Sequence, residues 1–228
     1  MRARPLLALV LLAASAGGCA RFLPWRSPEG ITGWQPTAPP TLSLHEKAAA
    51  YQDRIASVHA MPDGVIRYRV HASQGRDEYG DLPDGPFFAG LYLAGQALRL
   101  AATGDPAARR EVEQALDGMA LLMAVTGEPG LLARFVGRGP SPRGTEWVPS
   151  KARPDYWWRA DVSKDQLAGY ACGLGVALAV LPDPAVRARI AALAGPLARH
   201  LDAHDYRIVD HDGERTTYGD LRPRLFGV

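Results

Sequence analysis

Two stretches, Phe87 to Ala102 and Gln166 to Val180, are apolar nearly all the way round a helix. A helix with no polar side cannot sit at a surface, so other elements must enclose it. Each is followed by a second helical stretch that is apolar on one side only. In Ala107 to Thr126, Val112, Leu116, Met119, Ala120 and Met123 share one face, while Arg109, Arg110, Glu113 and Asp117 occupy the other. In Ala185 to His204 the apolar face is Ile190, Leu193, Leu197 and Leu201, and Gly195-Pro196 is expected to kink the helix. An inner helix followed by an outer one therefore occurs twice, with a repeat of roughly 80 residues. The pattern predicts two helical hairpins packed on one core.

Local signals agree with these boundaries. Pro86 suits the first turn of the first inner helix, and Thr103-Gly104-Asp105-Pro106 closes it and opens the next. Leu181-Pro182-Asp183-Pro184 does the same for the second pair. Gly169, Gly173 and Gly175 would let a neighbour approach the second inner helix closely. Upstream, Leu44 to Ala60 reads as an initial helix, with Ser43 as N-cap and Glu46 as its capping-box partner. Pro62-Asp63-Gly64 ends it. Val65 to Val70 alternates weakly, as a short strand or an extended segment, and Ser73 to Gly85 reads as a polar loop. Gly127 to Val162 reads as one long irregular loop, too aromatic to be disordered and long enough to be functional. Tyr206 to Tyr218 reads as a β-hairpin turning at Asp212-Gly213.

The front of the chain carries an address. Arg2 and Arg4 precede an apolar run from Leu6 to Ala14, too short for the about 20 residues that span a bilayer, and so read as an export signal. Ser15-Ala16-Gly17-Gly18 then leads to Cys19. Small residues before that cysteine resemble the lipobox of bacterial lipoproteins, which implies lipidation of Cys19. Ala16 stands where that pattern most often has leucine. The other reading is an ordinary signal cut nearby, with a free thiol. Ala20 rather than aspartate follows the cysteine, which in that family implies the outer membrane if the source is Gram-negative. Ala20 to Thr41 is broken by five prolines and by Gly30 and Gly33, and reads as a tether. Trp25 and Trp34 within it would dock on the domain or at the membrane interface. The expected organisation is residues 1–19 signal and lipobox, 20–41 tether, and 42–228 helical domain.

Composition excludes several classes. Without Arg2 and Arg4 the 26 basic residues fall to 24, equal to the 24 acidic ones, so the mature body lacks the basic surface that nucleic acid needs. Cys19 and Cys172 are the two cysteines, and acylation of the first leaves no pair for an internal disulfide. Cys172 reads as a small buried apolar residue. No Cys/His set has zinc spacing, so neither metal nor other cofactor is expected. Asp210-His211-Asp212-Gly213 lacks the ligands of a calcium loop and reads as a tight turn. His200 and His204 lack the glutamate of a helical zinc motif, and their place at a helix C-terminus is explained by the dipole.

Four stretches carry a further resemblance: Asp84-Gly85-Pro86-Phe87-Phe88-Ala89-Gly90-Leu91-Tyr92, Thr103-Gly104-Asp105, Trp157 to Gly169, and Asp210 to Gly219. Glycine-rich inner helices with polar loops at one end are similar to the six-hairpin (α/α) toroid proteins, many of them glycoside hydrolases or polysaccharide lyases. The similarity runs from about Leu44 onward. This chain supplies two hairpins and an initial helix where such toroids use six. The resemblance therefore implies an all-α, incomplete (α/α) toroid with a small C-terminal β-hairpin, either a truncated domain or a half that needs a partner.

Glycoside hydrolysis needs two carboxyl groups at a set separation. Asp84, Asp161 and Asp165 precede or begin inner helices and are the catalytic candidates. Helix capping uses the same residue in the same place, so both uses fit. Trp157 and Trp158 are candidates for stacking a sugar ring. Arg134 and Arg159 would grip a uronic acid carboxylate, or form ion pairs. The expectation is a membrane-anchored envelope lipoprotein with a carbohydrate-active domain that hydrolyses or lyses glycan. Its rival is a non-catalytic envelope lipoprotein that binds glycan or protein through the same face.

Overall fold

The computed structural model describes residues 42–66, 69–70, 78–79, 84–139 and 146–222. Cys19, the tether with its Trp25 and Trp34, most of the loop before Asp84 and the final Leu225 to Val228 lie outside the described residues. Five helices carry the fold: α1 (Leu44–Arg54), α2 (Gly85–Thr103), α3 (Pro106–Ala124), α4 (Lys164–Val180) and α5 (Pro184–Ala203). None of the helices among the described residues is long and apolar enough to cross a membrane.

The capping box at the start of α1 is formed. The Glu46 amide donates to Ser43 Oγ at 3.3 Å, and the Ser43 amide donates to the Glu46 carboxylate at 2.8 Å. After Arg54 the helix widens into a π turn, Ile55–His59. No residue of α1 is buried, so polar contacts hold it. Gln52 donates to the Tyr92 hydroxyl at 3.1 Å and accepts from Gln96 at 2.5 Å. Tyr92 in turn donates to Glu111 at 2.7 Å. Burial, aided by that carboxylate, raises the Tyr92 phenol well above its ordinary range.

The two predicted hairpins are present, and side-chain pairings fix their directions. Tyr92 meets Glu111 and Arg99 meets Asp105, so α2 and α3 run antiparallel. Asp84 meets Gln166, and Gly90 lies against Gly169 and Gly173, so the inner helices α2 and α4 run parallel. Arg109 pairs with Asp183 at 2.7 Å and Asp117 with Arg189 at 2.5 Å, so the outer helices α3 and α5 also run parallel. A Cβ at Gly90 would fall on the carbonyl oxygen of Gly169, and one at Gly173 on the carbonyl oxygen of Gly90. The inner pair thus meets backbone to backbone. Gly175 faces open space, so two of the three glycines singled out from the sequence serve this contact and the third does not.

Leu93, Leu116, Met119, Leu122, Leu174 and Ile190 fill the core between the layers, each at most 1% exposed. Burial of each stabilises the fold by about 1.5–3 kcal/mol. The Tyr170 hydroxyl crosses this core to donate to the Met119 carbonyl at 3.0 Å, and its burial pushes the phenol well up. The front of α2 is not enclosed. Phe88, Leu91 and Leu98 are 42%, 45% and 52% exposed.

The stretch from Gly127 to Val162 is not an irregular loop. It contains β3 (Phe135–Arg138), β4 (Trp147–Pro149) and β5 (Tyr156–Arg159), an antiparallel sheet with β5 in the centre. Val136 and Val148 both face Trp158 across it. Alternation along Tyr156-Trp157-Trp158-Arg159 sends the two tryptophans to opposite faces, as it must in a strand. Upstream, β1 (Arg69–Val70) pairs with β2 (Glu78–Tyr79). After α5, Asp205 and Tyr206 adopt left-handed backbone at φ 52° and 56° and turn the chain into β6 (Arg207–Val209), which pairs with β7 (Arg215–Asp220). The turn between them is the predicted one, with Gly213 at φ 85° and its amide donating to the Asp210 carbonyl at 3.0 Å. The molecule is mainly helical, with small antiparallel sheets beyond the single hairpin expected.

Candidate functional site

The polar elements gather at the N-terminal ends of the inner helices. The Gly85 amide, first of the free donors of α2, reaches the Arg134 carbonyl at 3.2 Å, and the Arg134 amide reaches the Arg159 carbonyl at 2.8 Å. The sheet is thereby clamped onto the helix ends, and Asp84, Arg134, Arg159 and Asp161 become neighbours along one connected backbone.

Asp161 is the hub. Its backbone is left-handed at φ 63°, a conformation in which aspartate is one of the few tolerated non-glycine residues. Its carbonyl accepts from Arg134 Nη1 at 2.7 Å, and its carboxylate lies 3.6 Å from the same guanidinium. Its Oδ1 accepts from the Thr217 amide of β7 at 2.6 Å, and its own amide donates to Asp210 Oδ2 at 2.7 Å. Asp210, only 8% exposed, also accepts from the His211 amide at 2.8 Å and stands 3.1 Å from the His211 ring nitrogen. The C-terminal hairpin is thus joined to the start of α4 through two carboxylates. Beside this hub the Ser163 hydroxyl is buried with no hydrogen-bond partner among the described residues.

Asp84 occupies the N-cap position of α2, but its side chain does not cap that helix. Its Oδ1 accepts from Gln166 Nε2 at 3.0 Å and so links the two inner helices. Gln166 Oε1 accepts from the Ser163 amide at 3.0 Å, closing the first turn of α4. Asp165 is exposed in that turn, where a negative charge favours the helix dipole.

The paired tryptophans do not form one platform. Trp158 is 1% exposed, buried in the main core with the His211 ring edge-on at 5.2 Å, so neither face is open to a sugar. Trp157 turns the other way, into a small cluster with Phe135 at 5.7 Å and Trp147 at 5.0 Å between ring centres. Arg159 lies over the Trp147 ring at 5.3 Å.

The dipole account of His200 and His204 is corrected for His200. Burial, and then the proximity of His204, lower the His200 pKa, which disfavours the charge that a dipole would stabilise. The Val209 amide donates to His200 Nε2 at 3.3 Å, which requires an unprotonated nitrogen there.

Sequence reasoning missed a groove at the opposite end of the sheet from the Asp161 hub, about 620 Å³ in volume, between the C-terminal half of α3 and the turn before β5. Leu121 and Ala124 of α3 line it together with Asp63, Arg138, Arg153 and Tyr156. The turn is rigidly held, because Ser150 Oγ donates to the Val125 carbonyl at 2.6 Å and accepts from the Arg153 amide at 2.9 Å. The groove joins residues about 90 apart in sequence, and no local pattern announces that.

Comparison with protein-family models, with curated proteins and with solved structures finds no match for this chain.

Proposed function

We propose that this chain is a lipid-anchored protein of the cell envelope whose helical domain binds a glycan without cleaving it. One observation carries the choice over catalysis: the two loop carboxylates at the helix ends hold the fold together. Asp161 is tied to Thr217 and Arg134, and Asp84 to Gln166. Hydrolysis needs two carboxyl groups free to face one substrate, and although the Asp161 side chain is 41% exposed, its oxygens are engaged within the fold. Support for a glycan comes from the two parallel inner helices, each backed by an outer one, with polar loops at one end. We read this arrangement as that of the (α/α) toroid scaffolds, with the two hairpins as part of a ring. The anchor is the lipid on Cys19, which places the protein on the outer membrane in a Gram-negative source.

Catalysis is the second reading, and the left-handed backbone of Asp161 favours it, since strained residues gather at active sites. The test is incubation of the full chain with a polysaccharide panel, scoring retention together with new reducing ends and unsaturated uronic ends. Retention without products is expected. Products of either kind would replace binding with hydrolysis or lysis.

A further inference from the structure

The groove between α3 and the turn before β5 has features of a built site. Its volume of about 620 Å³ lies within the range of small-ligand clefts, ~300–1,000 Å³. Its apolar lining is Leu121 and Ala124 of α3, with Pro154 at the exposed turn. Charges of both signs also line it, the carboxylates of Asp63, Asp117 and Asp155 and the guanidiniums of Arg138 and Arg153. Most of these charges are already engaged. Asp117 pairs with Arg189 at 2.5 Å, while Arg138 bonds the Tyr156 hydroxyl and lies over that ring at 4.6 Å. The Arg153 guanidinium has no hydrogen-bond or ion-pair partner among the described residues. Its backbone, however, is fixed from below by the buried Ser150 hydroxyl. The pinned turn leaves only the arginine side chain itself to be ordered when a ligand binds.

The charge pattern selects among ligands. A simple anion would gain from the arginines and be repelled by three carboxylates, and a simple cation would meet the reverse. A hydroxyl both donates and accepts, so vicinal hydroxyls satisfy a carboxylate and a guanidinium side by side. The C–H faces of sugar rings would lie on Leu121, Ala124 and Pro154.

We infer that this groove binds a short neutral oligosaccharide, with Arg153 as its principal open donor. The inference rests on the glycan-binding reading and adds to it a place and a class of sugar. The experiment is isothermal titration of the full chain in detergent with neutral tetrasaccharides of the gluco, xylo, manno and chito series. Tetragalacturonate serves as the anionic comparator. The same titrations are run on Arg153→Ala, which alters an exposed side chain, and on Ala124→Trp, which fills the groove. Circular dichroism and thermal unfolding establish that each variant is folded, and Arg153→Ala carries the test if the larger residue disrupts α3.

At least one neutral tetrasaccharide is expected to bind, at least tenfold more weakly to Arg153→Ala and not measurably to Ala124→Trp. Binding unchanged in both folded variants would overturn the groove while leaving the glycan-binding function in place. Tighter binding of tetragalacturonate than of every neutral sugar would overturn the neutral class. Silence from all five sugars at millimolar concentration would remove the glycan-binding function and the groove with it.

Discussion

At the scale of single residues, Asp161 concentrates the most structure in one side chain. Its Oδ1 satisfies the Thr217 amide, and its backbone holds a left-handed conformation that costs a residue with an ordinary β-carbon about 1 kcal/mol or more. Asp161→Ala loses the acceptor and places alanine in that conformation, so a loss of about 2 kcal/mol is expected. Asp161→Asn keeps an acceptor and a residue that tolerates the backbone, so its loss should stay below about 1 kcal/mol. Urea unfolding of the two variants checks this, and equal losses would show that the Thr217 bond contributes nothing.

Among elements, the contact between α2 and α4 is the least forgiving. Gly90→Ala or Gly173→Ala would drive a methyl group into the backbone of the facing helix, and a loss of about 2–3 kcal/mol or outright failure to fold is expected. Gly175→Ala meets nothing and should instead gain about 0.5–1 kcal/mol from helix propensity. Thermal unfolding of the three variants separates these outcomes. His200 gives α5 a dependence on pH. Burial, and then His204 at 4.5 Å between ring centres, lower its pKa in the folded state, while Asp210 as the nearby acid opposes the shift. The unfolded chain therefore takes up the proton first, near pH 6.5, while the folded chain resists. The stability from this site is complete above that pH and is lost as pH falls below it. His200→Gln should flatten the decline in urea midpoint between about pH 6.5 and pH 5.

The helices, their caps and the inner-outer alternation were legible because helical periodicity and capping are local properties. Ser43 with Glu46 and the turn at Gly213 needed only a few neighbouring residues to be read. The sheet is not legible in the same way, because its strands are three or four residues long and aromatic content alone does not separate a strand from a loop. Strand alternation alone would have separated Trp157 from Trp158. The bonds from Asp161 to Asp210 and Thr217 span 49 and 56 residues, and nothing local to either partner encodes them.

For the whole molecule, one face and one anchor define what can be tested. Phe88, Leu91 and Leu98 contribute little to the core, so changing them together to Ser, Gln and Gln should leave the melting temperature nearly unchanged. The same triple variant should bind less of an apolar dye such as ANS, which fluorescence measures directly. At the other end, the proposed acylation of Cys19 is tested by Cys19→Ser, which on that proposal should move the protein from the membrane fraction to the soluble fraction on cell lysis.

The parallel pairing of α2 with α4 also has a kinetic consequence. Gly90 meets Gly169 and Gly173 across about 80 residues of chain, and helix-to-helix contact of that span cannot form during synthesis until the second hairpin has emerged. Until then α2 carries a bare glycine face, with α3 as its sole neighbour from the hairpin. The protein should accordingly fold more slowly than an up-and-down bundle of equal helix content, and in one late step that joins its two halves.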